Sequence, residues 1–431
     1  MLRVIGVSSM EELLGQIPAG LRDSHVEWPA ALTEAELSAH AGMLAAKNRP
    51  LICFAGAGAK DHYIPAAVKA LTSRGEYLSA YTPYQAEASQ GLLQATYEFQ
   101  SSICALMGLD AANASLYDGA TALAEAVGAA VRSTGRSRIL LPATLHPEWR
   151  ETLRTYFGPT SGVHLEEMPH REGRIDPIAV EGLVDDTVAA VVVASPNYWG
   201  LLEDGAAVAE RAHQHEALVI AAVDPISLGV LEPPGNWGAD IAVAEGQGLG
   251  NPLQYGGPYL GLFACKKALL RSVPGRICGM TTDQEGNRGF VLTLQAREQH
   301  IRRERAASNI CSNEALCALS ATIYLALLGP EGLKEAAECC VDKAHRLAEN
   351  IAALPGFSLR FDGPFFNEFV VDGPVPAEKI RKALLKDSLL AGVPLGRTHK
   401  DMKNSLLVCV TESRTEEELD RLVSALGRFL P

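Results

Sequence analysis

Three predicted strands each end in polar residues that could share one cleft. Asp118 follows ANASLY, Asn197 follows VAAVVVASP, and Asp224 follows ALVIAAV. Open α/β sheets bind ligands at the carboxyl edge of their strands. Burying the carboxylate of Asp224 there is costly unless a cation pairs with it, and a protonated pyridine nitrogen is one such cation. A cap for the turn at Pro225 explains Asp224 equally well.

The segment LYDGATALAEA could hold a phosphate group. It predicts a helix that begins near Thr121, directly after Asp118 and Gly119. The first backbone N–H groups of a helix lack partners within the helix and carry partial positive charge, so they can bind phosphate. Asp118 also has the residue type and position of an N-cap, which needs no ligand. The pattern leaves both interpretations open.

The loop YTPYQAEASQG precedes a long predicted helix. It places Tyr81 and Tyr84 three residues apart around a proline, with Ser89 and Gln90 at the helix start. A rigid aromatic loop can reach into a site on its own chain or on a partner, although tyrosines in such loops are more commonly structural.

The run QAREQHIRRER contains the candidate interface residues Arg297, His300, Arg302 and Arg303. Arginine is suited to binding carboxylate or phosphate, but a charged run on a helix more often forms a solvated or interface surface, and we favour an interface. The segment GAGAKD, residues 56–61, matches neither of the common glycine-rich nucleotide-binding patterns, and we interpret it as a turn.

Bulk composition indicates an ordinary globular enzyme or enzyme subunit. The 431 residues carry a net charge of -13 without a basic block, which argues against nucleic acid or an anionic membrane as a partner. The sequence contains no apolar run of about 18 residues and no pattern of a secretory signal, so we expect a cytoplasmic protein. The nine cysteines form no Cys-x-x-Cys pair, and we expect reduced thiols and no metal site.

Alternating strand and helix patterns predict an α/β fold. Continuously apolar runs such as VAAVVVAS are typical of parallel strands that are covered on both faces. We predict an N-terminal helical arm over residues 1–60, a large α/β domain over 61–310 and a small α+β domain over 311–431.

One glycine-rich turn lacks a residue that its outline leads us to expect. The stretch DIAVAEGQGLGNPLQYGGPYLG has the strand, small-residue turn and glycine pair that surround the Schiff-base lysine in many pyridoxal 5'-phosphate (PLP) enzymes. Here the turn holds Gln247, Gly248 and Leu249. Lys266 and Lys267 follow the next predicted strand, and we expect them to lie too far along it to replace the missing amine.

Five segments together closely resemble the glycine cleavage system P-protein family, in its N-terminal half, which some organisms make as a separate subunit 1 or alpha subunit. In chain order they are YTPYQAEASQG, ANASLYDGATALAEA, YGGPYLG, PGRICG and QAREQHIRRERAASNIC. The resemblance implies a fold type I PLP-dependent transferase fold, with a mostly parallel sheet of the seven-stranded type in the large domain and a small α+β C-terminal domain. It also implies a subunit of glycine dehydrogenase (aminomethyl-transferring).

The resemblance further implies that the Schiff-base lysine is on another chain. Aligning Asp240 with the aspartate that opens the family's catalytic strand puts Gln247 and Gly248 in the places of a His-Lys pair. PLP would then be held by a beta subunit, in an α2β2 assembly that decarboxylates glycine and passes the aminomethyl group to the lipoyl group of H-protein. Tyr81, Tyr84, Ser89 and Gln90 are our candidates for groups that reach the partner's site. The candidates for a degenerate cofactor site are Asp118, Gly119, Thr121, Asn197, Asp224 and Gly248.

Two other functions remain open from the sequence. The chain could be an independent PLP-dependent lyase or aminotransferase that uses another lysine. It could also be a non-catalytic scaffold subunit that stabilises the beta chain or recruits H-protein.

Overall fold

The computed structural model describes residues 1–22 and 27–429, and it divides after Pro50 into two compact units. The described residues of the first unit form helices and no strands, whereas the predicted domain bounds, 1–60, 61–310 and 311–431, stay a prediction. Its longest helix begins with a capping box in which Thr33 and Glu36 satisfy each other's backbone N–H groups. Its helices are α1 (Leu2–Ile5), α2 (Met10–Leu13), α3 (Ala19–Arg22) and α4 (Glu34–Ala45).

The second unit begins at Leu51 and contains all the described strands. Most of its β-structure belongs to one large and one small sheet. The strands are β1 (Ile52–Cys53), β2 (Ala111–Ala112), β3 (Arg138–Pro142), β4 (His164–Met168), β5 (His170–Arg171), β6 (Arg174–Ile175), β7 (Val188–Ser195), β8 (Leu218–Val223), β9 (Ile241–Glu245), β10 (Gly261–Cys265), β11 (Ile277–Thr282), β12 (Arg288–Thr293), β13 (Ser358–Leu359), β14 (Glu368–Asp372), β15 (Leu389–Leu390), β16 (Val393–Pro394) and β17 (Ser405–Cys409).

The α-helices of this unit alternate with the strands up to β9 and are fewer afterwards. They are α5 (Ala66–Thr72), α6 (Gly75–Leu78), α7 (Gln90–Met107), α8 (Gly119–Thr134), α9 (Pro147–Tyr156), α10 (Pro177–Leu183), α11 (Gly205–Gln214), α12 (Gln299–Arg302), α13 (Ala315–Ala352), α14 (Ala377–Leu384) and α15 (Glu416–Leu426).

The large sheet has seven strands in the order β2-β10-β9-β8-β7-β3-β4. Strands β9, β8, β7, β3 and β4 are parallel, whereas β10 is antiparallel to both of its neighbours. Successive side chains point to opposite faces of the sheet, so Ile220 packs in the core that includes α8, while Ala221 packs in the core that includes α7 and α13. The predicted α/β fold with a mostly parallel sheet is confirmed.

The small sheet has the antiparallel order β13-β14-β17-β16. Its core also contains residues of α14, α15 and the C-terminal half of α13. Strand β1 pairs in parallel with β15, so the chain at Ile52 and Cys53 lies beside Leu389 and Leu390. The loop that follows β1 therefore starts next to C-terminal elements, although it precedes the large sheet in sequence.

Helix α13 is long and apolar enough by composition to span a membrane. It is broken at Gly329, whose φ of 60° is not helical, and Pro330 follows the break. Tyr324, before the break, and Cys340, after it, are both fully buried against the large sheet. Its place in the core thus explains part of the apolar composition of α13, of which 39% of the most apolar window is buried.

Candidate functional site

The carboxyl ends of β7, β8 and β9 surround a small cavity of about 100 Å³. Of the residues predicted for one cleft, Asn197, Asp224 and Gly248 line this cavity, whereas Asp118, Gly119 and Thr121 do not. Four further residues that sequence reasoning did not select also line it: Lys60, His146, Glu245 and Glu368. The edge at which a parallel sheet binds ligands therefore carries charged side chains of the chain itself beside the cavity.

Lys60 fills the part of the cleft beside Asp224. Its side chain is buried, and its ammonium forms an ion pair and hydrogen bond with the Asp224 carboxylate. The ammonium also lies 3.0 Å from Glu368 Oε2 and donates to Asn367 Oδ1 at 3.0 Å. One cation thus bridges two buried carboxylates, one at the end of β8 and the other on β14.

The charges of this cluster hold one another in their ionised forms. Burial by itself would lower the pKa of Lys60, but Asp224 and Glu368 outweigh it and raise that pKa. Burial would raise the pKa of Asp224, yet Lys60 and then His62 bring it below its usual range. The second oxygen of Asp224 also accepts the Ile226 N–H at 2.9 Å, so this residue caps the turn and pairs with a cation at once.

The loop GAGAKD places Lys60 in the cleft, and it is more than the turn that we predicted. Glu368 Oε1 accepts the Ala57 N–H at 2.7 Å, which ties the loop to β14. A Cβ atom on Gly56 would lie 2.1 Å from the same oxygen, so only glycine permits this approach. The glycines of GAGAKD indicate close packing of the backbone, but the sequence does not predict that Glu368 is the residue against which the loop packs.

The predicted anion site at the start of α8 is filled by a carboxylate. Asp118 caps the helix, because its Oδ1 accepts the Thr121 N–H at 2.7 Å and Thr121 Oγ1 accepts the Asp118 N–H. The N–H of Gly119, which has no partner within the helix, donates to Glu245 Oε2 at 2.9 Å. Glu245 therefore occupies the position at which this helix terminus would offer a hydrogen bond to phosphate.

Glu245 lies at the end of β9 and is nearly enclosed. Its Oε1 accepts the N–H groups of Gln247 at 2.9 Å and Leu260 at 3.2 Å. Burial raises the pKa of Glu245 to about 7, although the three backbone donors oppose the shift. The residue can thus be neutral or ionised near neutral pH.

The expected lysine position is closed as well. The buried side chain of Gln247 accepts the Lys60 N–H at 2.9 Å and donates to the Asn251 carbonyl at 2.7 Å. A Cβ atom on Gly248 would lie 3.0 Å from His62 Cδ2. His62 is itself fixed by a 2.8 Å contact between its Nδ1 and Glu412 Oε2.

His62, Glu412 and Cys340 place three potential metal-ligand atoms within 4.8 Å of one another. The Cys340 thiol donates to Glu412 Oε2 at 3.3 Å, and the same oxygen contacts His62. Hydrogen bonds within the group account for its geometry without a metal ion. Our prediction of no metal site stays a prediction.

Asn197 uses its whole side chain to shape the loop after β7. Its amide nitrogen donates to the Gly173 carbonyl and to Glu203, both at 2.8 Å. Its oxygen accepts the N–H groups of Trp199 at 3.0 Å and Leu201 at 3.2 Å. Within the described residues, Asn197 has no hydrogen-bonding group left for a ligand.

These contacts do not fit PLP in this cleft. The acid that would face the pyridine nitrogen is paired with Lys60, the helix N–H that would face the phosphate is bonded to Glu245, and the lysine position is Gly248. A cofactor would have to displace the Lys60 ammonium from Asp224 and the Glu245 carboxyl from Gly119, and breaking a buried ion pair is costly.

Lys266 and Lys267 cannot supply the missing amine. They follow β10, which is antiparallel to β9, so Lys266 lies at the opposite end of β9 from Glu245. Its Nζ binds Asp240 Oδ1 at 2.7 Å, where β9 begins. Lys267 donates its backbone N–H to Asp110 at the same edge. The expectation that both lysines lie too far along the sheet agrees with this geometry.

The Tyr81 loop lies beside a different cavity. Tyr81 is 78% exposed and lines that cavity, whereas Tyr84 accepts a 3.1 Å hydrogen bond from Arg276 Nη2. Ser89 is the N-cap residue of α7 but makes no side-chain capping bond. Gln90 holds the β11–β12 hairpin, because its amide accepts the Phe290 N–H and donates to the Phe290 carbonyl, each at 2.8 Å.

The four interface candidates divide into one anchored and three exposed residues. Arg297 folds back and donates to the backbone carbonyls of Val273 and Gly275, the latter at 2.7 Å. His300, Arg302 and Arg303 are exposed, and their place in a subunit interface stays a prediction.

Sequence similarity to known proteins identifies the family of this chain. The family model of the glycine cleavage system P-protein matches residues 1–426. A relative from Desulfitobacterium hafniense, named as probable glycine dehydrogenase (decarboxylating) subunit 1, is 51% identical over 429 residues, 99% of this chain and 96% of that protein.

Solved structures agree in fold. A crystal structure of the glycine decarboxylase (P-protein) of the glycine cleavage system, in inhibitor-bound form, superposes with a TM-score of 0.93 at 46% identity, over 100% of this chain and 97% of that one. The sphingosine-1-phosphate lyase of Burkholderia pseudomallei shares the fold alone, with a TM-score of 0.66 at 16% identity over 96% and 94% of the two chains. The fold is that of the fold type I PLP-dependent enzymes, and the chain belongs to the glycine cleavage system P-protein family.

Proposed function

We propose that this chain is subunit 1 of a two-subunit, glycine-decarboxylating P-protein whose PLP is held by the second subunit. The observation that carries the assignment of PLP to the second subunit is the self-filled cleft, in which Lys60 and Glu245 stand where a cofactor's charges would be. The name of the relative at 51% identity, a subunit 1, supports a partner chain.

The proposed reaction belongs to the assembly. Glycine is decarboxylated, CO2 is released, and the aminomethyl group passes to the lipoyl group of H-protein. PLP on the second subunit would act as the sink for the electron pair that remains on the glycine α-carbon when CO2 leaves. We place two copies of each chain in the assembly, in the cytoplasm. The nine cysteines, all unpaired, are compatible with that reducing compartment.

The role of this chain is to provide a fixed wall for the partner's site. The buried Lys60 cluster joins the end of β8 to β14, so it holds the large sheet and the small sheet together. In a subunit that does not itself catalyse the reaction, these buried ion pairs can stay intact, because no cofactor or substrate has to enter its cleft.

Glycine–bicarbonate exchange with lipoylated H-protein tests the proposal. It should be measured for this chain, for the second subunit and for their mixture, each with PLP. We expect exchange only in the mixture, with PLP bound once per pair of subunits. Exchange by this chain alone would contradict the proposal and favour an independent PLP enzyme. Full exchange by the second subunit alone would favour the scaffold alternative.

A further inference from the structure

Arg276, in the segment PGRICG, is a buried arginine that forms no ion pair with an Asp or Glu of the described residues. The residue is only 5% exposed, directly before β11. No Asp or Glu oxygen of the described residues lies within 4 Å of its guanidinium, the limit for an ion pair. Buried charges in proteins are normally paired, so an unpaired one needs an explanation.

The contacts of Arg276 orient its guanidinium without neutralising it. Its Nη2 donates to the Tyr84 hydroxyl at 3.1 Å, and its Cζ lies 5.5 Å from the centre of the Tyr84 ring. Its Nε is buried and has no hydrogen-bond partner among the described residues. Glu298 lies beyond 4 Å but interacts with it through space, and burial raises the pKa of that carboxyl.

The backbone around Arg276 is fixed by several independent bonds. Its own carbonyl accepts the Ala114 N–H at 2.8 Å, and Arg297 holds the carbonyl of the preceding Gly275. An arginine that the fold positions this firmly, with donors to spare, has the preorganisation of a binding residue.

Arg276 lines a cavity of about 230 Å³. The walls are mostly apolar or aromatic and include Tyr77, Tyr81, Phe99 and Leu316, while Ser312 and Asn313 add polar groups. A cavity with apolar walls and one convergent cation suits a small organic molecule that carries an anionic group. The cavity shares none of its lining residues with the cleft that Lys60 fills.

We propose that this cavity is an oxyanion site in which Arg276 binds the carboxylate of a small ligand. The choice of glycine as this ligand rests on the proposed function, because glycine, the smallest amino-acid carboxylate, is the substrate of the assembled enzyme. A phosphate group offers the same oxyanion chemistry, so the experiment must separate the two sources. Tyr84 is a positioning residue here, since it acts on the ligand through Arg276.

Anion binding should be measured first, on the assembled two-subunit protein and without turnover. Trifluoroacetate serves as the probe in 19F NMR, with competition by glycine, acetate and inorganic phosphate. We expect line broadening that glycine and acetate reverse and that Arg276→Gln abolishes. Arg154→Gln, at an exposed arginine of α9, is the control and should keep it. Absence of probe binding to the native assembly would overturn the proposal, and so would equal binding by Arg276→Gln.

Kinetics then identify the source of the anion. We expect Arg276→Gln to raise the KM for glycine on the order of 10- to 100-fold, as loss of a charge-assisted bond implies, with a smaller change in kcat and an unchanged Kd for PLP. Arg276→Lys should recover part of the loss. A raised Kd for PLP with an unchanged glycine KM would overturn the carboxylate assignment in favour of phosphate. If the native mixture shows no exchange at all, the proposed function fails, while the NMR result on the anion site stands separately.

Discussion

Glu245 Oε2 accepts the Gly119 N–H at 2.9 Å, at the first turn of the helix that would otherwise hold a phosphate. The chain thus satisfies its own anion-binding position with a carboxylate from the neighbouring strand end. Lys60 does the same with the opposite charge beside Asp224. Glu245 thus takes the place of the cofactor's phosphate, and Lys60 takes the place of its protonated pyridine nitrogen. With both positions occupied by its own side chains, the cleft contributes to the stability of the fold.

Replacing Lys60 with methionine should destabilise the chain strongly. The substitution keeps much of the side-chain volume but leaves Asp224 and Glu368 buried without their cation. Loss of one partner of a buried ion pair costs about 3–5 kcal/mol, and we expect a decrease of that order in the free energy of unfolding in urea.

Lys334→Met is the matched control, because Lys334 is exposed and pairs with Glu338 across one helical turn. Such a pair contributes roughly 0.3–0.5 kcal/mol, so this variant should unfold almost as the native chain does. Equal effects of the two substitutions would show that the Lys60 cluster does not hold the unit together.

Restoring a lysine in the glycine-rich turn should not restore covalent PLP binding. In Gly248→Lys the new Cβ would meet His62 at 3.0 Å, and Glu245 and Lys60 would still fill the cofactor's two charged positions. We expect no visible absorbance band when PLP is added to the purified variant. The second subunit, titrated in parallel, should show the band. A stoichiometric band in Gly248→Lys would mean that the missing amine alone keeps PLP out.

The stability of the chain should depend on the ionisation of Glu245 in a predictable direction. Its pKa in the folded chain is raised to about 7, above its usual value of 4.5. Between these values the folded chain binds more protons than the unfolded chain, so the free energy of unfolding falls as pH rises through this window and levels off above it. The ionisation of Glu245 changes the free energy of unfolding by at most about 3 kcal/mol across this window.

Urea unfolding of the native chain and of Glu245→Gln from pH 4.5 to pH 8 checks this dependence. The stability of the variant relative to the native chain should increase up to about pH 7 and then stay constant. Glu335→Gln, on the exposed side of α13, controls for loss of a carboxylate as such. A difference between Glu245→Gln and the native chain that does not change with pH would contradict the assigned ionisation.

The fold was predictable because its signals are local. A continuously apolar strand such as Val188–Ser195 indicates a covered parallel sheet by itself, and the order of Asp118, Gly119 and Thr121 identifies a helix start. Both features need only a few neighbouring residues, and the structure contains both.

The contents of the cleft were not predictable in the same way. Lys60 reaches Asp224 across 164 residues and Asn367 across 307, and no spacing rule connects such positions. The motif around Gly248 revealed the absence of a lysine but not the presence of the charges that replace the cofactor. Likewise, PGRICG contributed to the family resemblance, while only the three-dimensional structure shows that Arg276 is buried and forms no ion pair within 4 Å in the part of the chain that it describes.

Replacing Tyr84 with phenylalanine separates its hydrogen bond from its ring. The ring would still lie against the Arg276 guanidinium, but Nη2 would lose the acceptor that it has at 3.1 Å. We expect a loss of about 0.5–1.5 kcal/mol in the free energy of unfolding, because Tyr84 is 57% exposed and water can partly replace its hydroxyl as the acceptor. In the assembled enzyme the glycine KM should rise several-fold, by less than in Arg276→Gln, because the guanidinium keeps its charge and loses only part of its orientation. Tyr255→Phe, at a fully exposed tyrosine, is the control. An unchanged glycine KM in Tyr84→Phe, together with the expected loss of stability, would show that the bond supports only the fold and would favour a scaffold role for this loop.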